Sequence, residues 1–337
     1  MKKLSRILIV RTDRIGDVVL TLPLAGIIKK HYPEVKVSFL VREYTKPLTL
    51  NNPAIDEIIT LEEIRDNFIS EIRSRKFDAA VVVYPTSKLA FDLFFSGIKT
   101  RIGTGYRWYS FLFNKKIFQH RKYAEKHELE FNVDLLSDLG ISEKVSIENV
   151  EYNLHPGENS IHKIEALLEQ KNVKKEQKTV IIHPGSGGSA MDLPIEKLTQ
   201  ITKLLAQQLD INVIITGADT EKALCERFVL DNKIVNLAGC FDLGGLMALI
   251  SKADLLIANS TGPIHIAAAL GKYVIGFYPK IVSCSPERWA PYTVKRKIFQ
   301  PGIECSNCTR KQCEELNCMN SINVNEVVES VKKNLNE

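Results

Sequence analysis

Short runs of β-branched and aliphatic residues alternate with longer stretches whose apolar positions recur every three or four residues. In the N-terminal half, Arg6 to Val10, Val35 to Val41, Ile55 to Thr60 and Ala79 to Tyr84 read as strands, and 17–31 and 61–76 as amphipathic helices. A further helix, over 124–139, stops at Gly140, which can take the left-handed conformation of a C-terminal cap. Nearly continuous apolar strands separated by helices predict an α/β chain with a parallel sheet covered on both faces.

The pattern then restarts. A polar stretch, 155–177, holds a helical piece and the charged run KNVKKEQK and reads as a linker. Beyond it, Val180 to His183, Val213 to Gly217, Ile234 to Leu237, Leu255 to Ala258 and Val274 to Phe277 are strand candidates, with helices at 194–209, 219–230, 242–251 and 263–270. The tail places Val324, Val327, Val328, Val331 and Leu335 at helical spacing after a capping-box-like Asn323 and Glu326. The expected organisation is a domain over 1–160, a second over 175–320 and a helix over 323–337 packing across their junction. Two such halves would face each other across a cleft at the carboxyl ends of both sheets, where open α/β folds bind ligands.

At 337 residues and 45% hydrophobic, the chain can bury two cores of ordinary size. No apolar run approaches the roughly 18 residues of a membrane span, and the opening MKKLSRILIV reads as neither signal peptide nor anchor. The expected setting is therefore cytoplasmic. The net charge of +5 is unevenly spread: residues 1–150 hold 24 basic and 19 acidic side chains, the remainder 21 of each. Within 99–126, Lys99, Arg101, Arg107, Lys115, Lys116, Arg121, Lys122 and Lys126 face Glu125 as the one acid, interleaved with Tyr106, Trp108, Tyr109, Phe111, Phe113 and Phe118. That composition suits an anionic lipid surface or a phosphorylated saccharide; no nucleic-acid motif appears, and none is expected as partner.

Seven cysteines include Cys305, Cys308, Cys313 and Cys318 in the spacing C-x2-C-x4-C-x4-C. A reducing compartment argues against disulfides, leaving a loop of reduced thiols as the preferred reading and a four-thiolate metal site as the alternative.

Four loops carry chemistry. After the first strand, Arg11, Asp13, Arg14, Gly16 and Asp17 cluster before a helix N-terminus, either as a reactive constellation or, more simply, with Asp17 capping a helix from Val18. HPGSGGSA at 183–190 brings Gly185, Gly187 and Gly188 together with Ser186 and Ser189; it suits phosphate held by backbone N–H groups but is not the ATPase P-loop pattern. In NSTGPIH at 259–265, Ser260, Thr261 and Gly262 precede a helix opened by Pro263, and His265 follows within one turn. Two anion nests in one domain suggest a pyrophosphate. GADTEK at 217–222 offers Asp219 and Glu221 to ribose hydroxyls, or merely as helix-start acids. No D-x-D motif offers a metal bridge to a diphosphate.

Together, RILIVRTDRIGDVVLTLPL, SGIKTRIG, HELEFNVDLLSDLGI, HPGSGGSA, NSTGPIHIAAALG and RWAPY with the cysteine-rich ending resemble glycosyltransferase family 9, the bacterial lipopolysaccharide heptosyltransferases. The resemblance implies the GT-B fold, two Rossmann-like domains, and an inverting, metal-independent, cofactor-free transfer from ADP-L-glycero-β-D-manno-heptose to the lipopolysaccharide inner core. It implies Asp17 as general base, with Asp13 assisting. The donor diphosphate would lie on Ser186, Gly187, Gly188 and Ser189, on Ser260, Thr261 and Gly262, and on His265, with adenosine along Asp219 and Glu221. Arg14, Lys99, Arg101 and Arg107 would meet the acceptor, the enzyme working peripherally on the inner face of the cytoplasmic membrane. Two positions depart from the family: the lysine common after the Ser-Ala of the glycine loop is Met191, and the acid common before Thr-Gly-Pro is Ser260. These departures motivate an alternative, a catalytically weakened protein that binds ADP-sugar or acceptor. A hexosyltransferase using another nucleotide sugar, and an epimerase of the same fold, complete the alternatives; the first-loop Gly-Asp argues against the epimerase.

Overall fold

The computed structural model describes residues 4–188, 190–304 and 308–336. The chain divides into two compact units, Met1–Arg121 with Glu125–His155, and Lys122–Ala124 with Pro156–Glu337.

The first unit contains strands β1 (Arg6–Val10), β2 (Lys36–Val41), β3 (Glu57–Thr60), β4 (Ala79–Val82), β5 (Thr100–Thr104) and β6 (Lys115–Ile117). Its helices are α1 (Ile15–Val19), α2 (Pro23–His31), α3 (Phe68–Ser74), α4 (Ser87–Phe95) and α5 (Glu128–Asp134). The strands form one parallel sheet in the order β3-β2-β1-β4-β5-β6. Ile7 to Val10 and all of β4 are buried, as a parallel sheet covered on both faces requires. The helix expected over 17–31 is split, because Pro23 has no N–H to continue the ladder and instead opens α2, whose last turn carries Lys29, Lys30 and His31 against the dipole's negative end. The helix expected over 124–139 narrows to α5 and a 3-10 turn, Leu135–Leu139, closed as foreseen by Gly140 at φ +78°. Strands β5 and β6 fall inside the basic aromatic stretch, where TRIGT offers a single aliphatic side chain and the edge strand β6 is only three residues long, which leaves no apolar alternation to read.

The second unit repeats the plan with β7 (Thr179–His183), β8 (Asn212–Ile215), β9 (Ile234–Asn236), β10 (Leu255–Asn259), β11 (Tyr273–Phe277) and β12 (Arg296–Phe299). Its helices are α6 (Glu158–Gln170), α7 (Ile195–Gln208), α8 (Lys222–Glu226), α9 (Leu243–Lys252), α10 (Gly262–Ala269), α11 (Pro286–Trp289), α12 (Arg310–Glu315) and α13 (Val324–Asn336). The sheet order, β12-β11-β10-β7-β8-β9, read from its other edge is the order of the first sheet. The stretch read as a linker is largely α6, which packs on α9 in this unit. In the tail, Val324, Val327, Val328 and Val331 enter the core of the second unit beside α7, because α7 presents Leu198, Ile201 and Leu205 as the matching apolar face.

In each sheet the strand order reverses between two central strands, β1 and β4 in one, β7 and β10 in the other. Crossovers leave that point toward opposite faces and so open a crevice at the strands' carboxyl ends. Three of the four chemistry-bearing loops follow β1, β7 and β10.

Candidate active site

In the first unit the loop after β1 closes on a buried arginine. Arg11 is 3% exposed, and its guanidinium donates from Nε to Asp13 Oδ1 at 2.8 Å and from Nη2 to Asp17 Oδ1, while Nη1 stands 3.6 Å from Glu128 Oε1. Glu128, also buried, begins α5 and accepts from Arg121, whose Nη1 reaches Asn132 Oδ1 at 3.0 Å. Asn132 in turn donates to the Leu20 carbonyl at 3.1 Å, and the Thr21 hydroxyl to the Asp17 carbonyl at 2.8 Å. The His127 side chain caps α5 by accepting from the Leu129 N–H, and Glu130 completes the capping box by accepting from the His127 N–H. The HELEFN segment thus holds Glu128 where Arg11 needs it.

Asp17 is not the helix cap. Arg14 occupies that position and Asp17 lies in the first turn of α1, its carboxylate oriented by Arg11. Burial pushes the Asp13 carboxyl up to about 6, against the pull of Arg11 and helped by the like charge of Asp17. Three carboxylates against two guanidiniums leave one net negative charge, a setting in which a carboxylate can accept a proton near neutrality.

In the second unit, His183 ends β7. Its Nδ1 lies 2.9 Å from the Thr216 hydroxyl, and burial pushes the imidazole down to about 4, so it is neutral at pH 7. Gly187 and Gly188 follow with φ of +58° and +70°, both exposed and with open space where a Cβ would stand. Successive left-handed residues turn N–H groups to one side and make an anion-binding concavity. Asn259, fully buried at the end of β10, accepts from the Leu193 N–H at 2.8 Å and donates to the Pro184 carbonyl at 3.1 Å, tying the glycine loop to the NSTGP loop. The sequence reading passed over Asn259, since nothing in its local pattern shows that its partners are 66 and 75 residues away.

Other expected residues differ in detail. The Ser186 hydroxyl, expected to face phosphate, donates to Asp192 Oδ2 at 2.7 Å, because burial makes that carboxylate the stronger demand for a donor. Ser189 and Cys305 lie outside the described residues. Asp219 is exposed and paired with Lys222 at 2.6 Å; Glu221 accepts from the Ala218 N–H at 2.8 Å and lies against Gly185, where a Cβ would collide with its carboxylate. The Ser260 hydroxyl bonds with the Tyr278 phenol, Thr261 is the N-cap residue of α10, Gly262 opens that helix with Pro263 behind it, and His265 is buried in its first turn. Arg14, Lys99 and Arg107 are exposed. Arg101 is turned inward, donating to the Leu112 carbonyl at 2.8 Å and to the Ile98 carbonyl beneath the ring of Phe94, which takes it away from any acceptor.

The cysteines partly converge. Cys308 and Cys313 sulfurs are 3.3 Å apart, and burial, with Cys308 and Cys318 nearby, pushes the Cys313 thiol up to about 12. Among the described residues no group of three or more His, Cys, Asp or Glu side chains is arranged to hold a metal.

A family model described as glycosyltransferase family 9 (heptosyltransferase) matches residues 65–319. A Haemophilus influenzae relative named only as a glycosyltransferase is 30% identical over 308 residues, 86% of each chain. Lipopolysaccharide heptosyltransferase 1 of Campylobacter coli is 23% identical, covering 97% of this chain and 98% of that protein. Among solved structures, the ADP-heptose lipopolysaccharide heptosyltransferase II of Escherichia coli superposes with a TM-score of 0.80 at 20% identity, covering 98% of both chains, so the two share the GT-B fold.

Proposed function

The chain belongs to glycosyltransferase family 9 and is a glycosyltransferase, and from that premise we propose that it moves heptose from ADP-L-glycero-β-D-manno-heptose to the lipopolysaccharide inner core with inversion and without a metal. The observation that carries this reading is the Asp17 carboxylate held by Arg11 at the switch point of the first sheet. Asp17 takes the proton from the acceptor hydroxyl as that oxygen attacks the anomeric carbon from the face opposite the leaving ADP. Asp13, whose carboxyl burial pushes up to about 6, shares the proton load across the guanidinium. Exposed Arg14, Lys99 and Arg107 meet the anionic acceptor, whereas Arg101 is withdrawn from that set.

The donor's diphosphate lies on the N–H groups of Gly187 and Gly188 and on the Ser260–Gly262 loop, with His265 behind it and the nucleoside toward Glu221 and Asp219. Preorganised N–H dipoles of this kind stabilise the charge that develops on the departing diphosphate. The exposed aromatic and basic surface of the first unit holds the enzyme against an anionic membrane.

A second reading, donor binding without turnover, is favoured by Met191, an apolar side chain where the family resemblance leads one to expect a lysine, and by Ser260 where it leads one to expect an acid. Incubation with ADP-heptose, with and without a core acceptor, followed by mass spectrometry separates the two. Glycosylated acceptor and free ADP, both lost in Asp17→Asn, support transfer. Donor binding with no product, unchanged in Asp17→Asn, supports the second reading. Product from an ADP-hexose at a higher rate than from ADP-heptose reassigns the donor.

A further inference from the structure

The glycine loop of the second unit has no cation in its own sequence. Position 191 is a methionine packed against the hydrophobic core, and position 192 is an aspartate. A guanidinium reaches the loop from 120 residues further on. Arg310, the first residue of α12, brings Nη2 to 3.4 Å from the Ala190 carbonyl, a long contact, and it is the positive charge that draws the Asp192 carboxyl downward against its burial. Asp192 accepts from Ser186 through Oδ2, while its Oδ1 is buried with no hydrogen-bond partner among the described residues.

The root of this arm is fixed. Thr309 caps α12 by accepting from the Gln312 N–H at 3.2 Å, and Cys313 is buried one turn on. Its tip is not held tightly. Among the described residues its ion pair is from Nε to Glu314 at 3.5 Å, one turn along an exposed helix face, an arrangement that contributes little in water. An arginine fork so placed retains donors for two oxygens of a phosphate, and it reaches the loop at Ala190, two residues after Gly188, whose surroundings like those of Gly187 are open.

We propose that Arg310 grips the donor's diphosphate at the glycine loop, standing in for the lysine that the family resemblance leads one to expect at position 191. The proposal rests on the reading of this loop as the donor-phosphate site. Arg310 rests against the Ala190 carbonyl, within electrostatic reach of Asp192, and a bound diphosphate becomes its stronger partner.

The test is titration of the full-length protein with ADP and with adenosine, in wild type, Arg310→Ala, Arg310→Lys, Met191→Lys and the double variant Arg310→Ala with Met191→Lys. Loss of a charged hydrogen-bonding group should weaken ADP about 10- to 30-fold in Arg310→Ala and leave adenosine unchanged, with Arg310→Lys in between. Met191→Lys should restore ADP affinity in the Arg310→Ala background. Equal ADP affinity in Arg310→Ala and wild type overturns the assignment. So does a parallel loss of adenosine, which marks a structural role, or a double variant no tighter than Arg310→Ala. A wild-type protein that binds no ADP overturns the donor-site reading itself, an outcome distinct from these.

Discussion

At the scale of single residues, the site in the first unit is organised by the one side chain least able to leave it. Arg11 lies almost out of contact with water among Asp13, Asp17 and Glu128, and its desolvation is offset only while those carboxylates surround it. Arg11→Met should therefore destabilise the first unit by about 3 to 5 kcal/mol, because it leaves buried carboxylates uncompensated, and urea unfolding would show it; a loss under 1 kcal/mol would mean the acids rehydrate freely. Asp13 gives a prediction with a defined sign. Its folded pKa, about 6, lies above the ordinary carboxylate value, so the folded protein binds the proton more tightly than the unfolded chain, and stability contributed by Asp13 declines as pH rises from about 4 through 6. Asp13→Asn should raise the thermal midpoint at pH 7 relative to its effect at pH 4, while removing or shifting the limb near pH 6 in the pH profile of kcat/KM. A limb unmoved in that variant assigns it to another group. Asp13 and Asp17 were legible from the sequence because they crowd one turn, and Arg11 as their neighbour. Glu128 as the third acid was not, since it arrives from 111 positions beyond Asp17, and Asp192 was passed over because the glycine loop drew attention to its serines.

The elements explain why those residues meet. Strands buried on both faces announce themselves as apolar runs, so the two central regions, β1 with β4 and β7 with β10, were readable, and with them the loops at the switch points. What escaped was peripheral: β5, β6 and β12, short and at or near the edges, and α4, α11 and α12, whose contacts rather than periodicity define them. The glycine loop shows how element geometry fixes residue choice, and it can be tested position by position. Gly187 and Gly188 have room for a methyl group but sit at positive φ, so Gly187→Ala should cost about 1 kcal/mol through backbone strain alone and leave Glu221 in place. Gly185 has an ordinary φ but no space, since a Cβ there would meet the Glu221 carboxylate. Gly185→Ala should displace Glu221, and the additional change Glu221→Ala should recover the lost thermal stability, whereas the same second change should not rescue Gly187→Ala. Equal rescue of both would show that space, not φ, governs the whole loop.

Across the whole molecule, charge and exposed apolar area are gathered in the first unit. Residues 1–150 carry the full positive excess, and Trp108, Phe111 and Phe118 are 73%, 64% and 63% exposed in the first unit. These rings are not scattered: Phe91 on α4 meets Trp108 at 6.2 Å and Phe111 at 6.4 Å, and Phe94 and Phe95 extend the same helix's exposed aromatic surface. Arg107, Lys115 and Lys116 lie exposed in the same stretch of chain. No helix among the described residues is long and apolar enough to cross a membrane, so any attachment by this surface is interfacial. An aromatic cluster beside basic side chains matches the two forces that hold a peripheral protein to an anionic bilayer: apolar insertion at the headgroup boundary, and roughly 1 kcal/mol for each basic residue near the surface. The protein should sediment with vesicles containing anionic phosphatidylglycerol and not with neutral phosphatidylcholine vesicles, and release should follow added salt as the Debye length shrinks. Trp108→Ala with Phe111→Ala should weaken binding about tenfold or more by removing the inserted rings while leaving the salt dependence, whereas Lys115→Gln with Lys116→Gln should flatten the salt dependence and leave insertion. Binding that is indifferent to lipid charge, or untouched by loss of both rings, would show that the aromatic surface serves some partner other than a membrane.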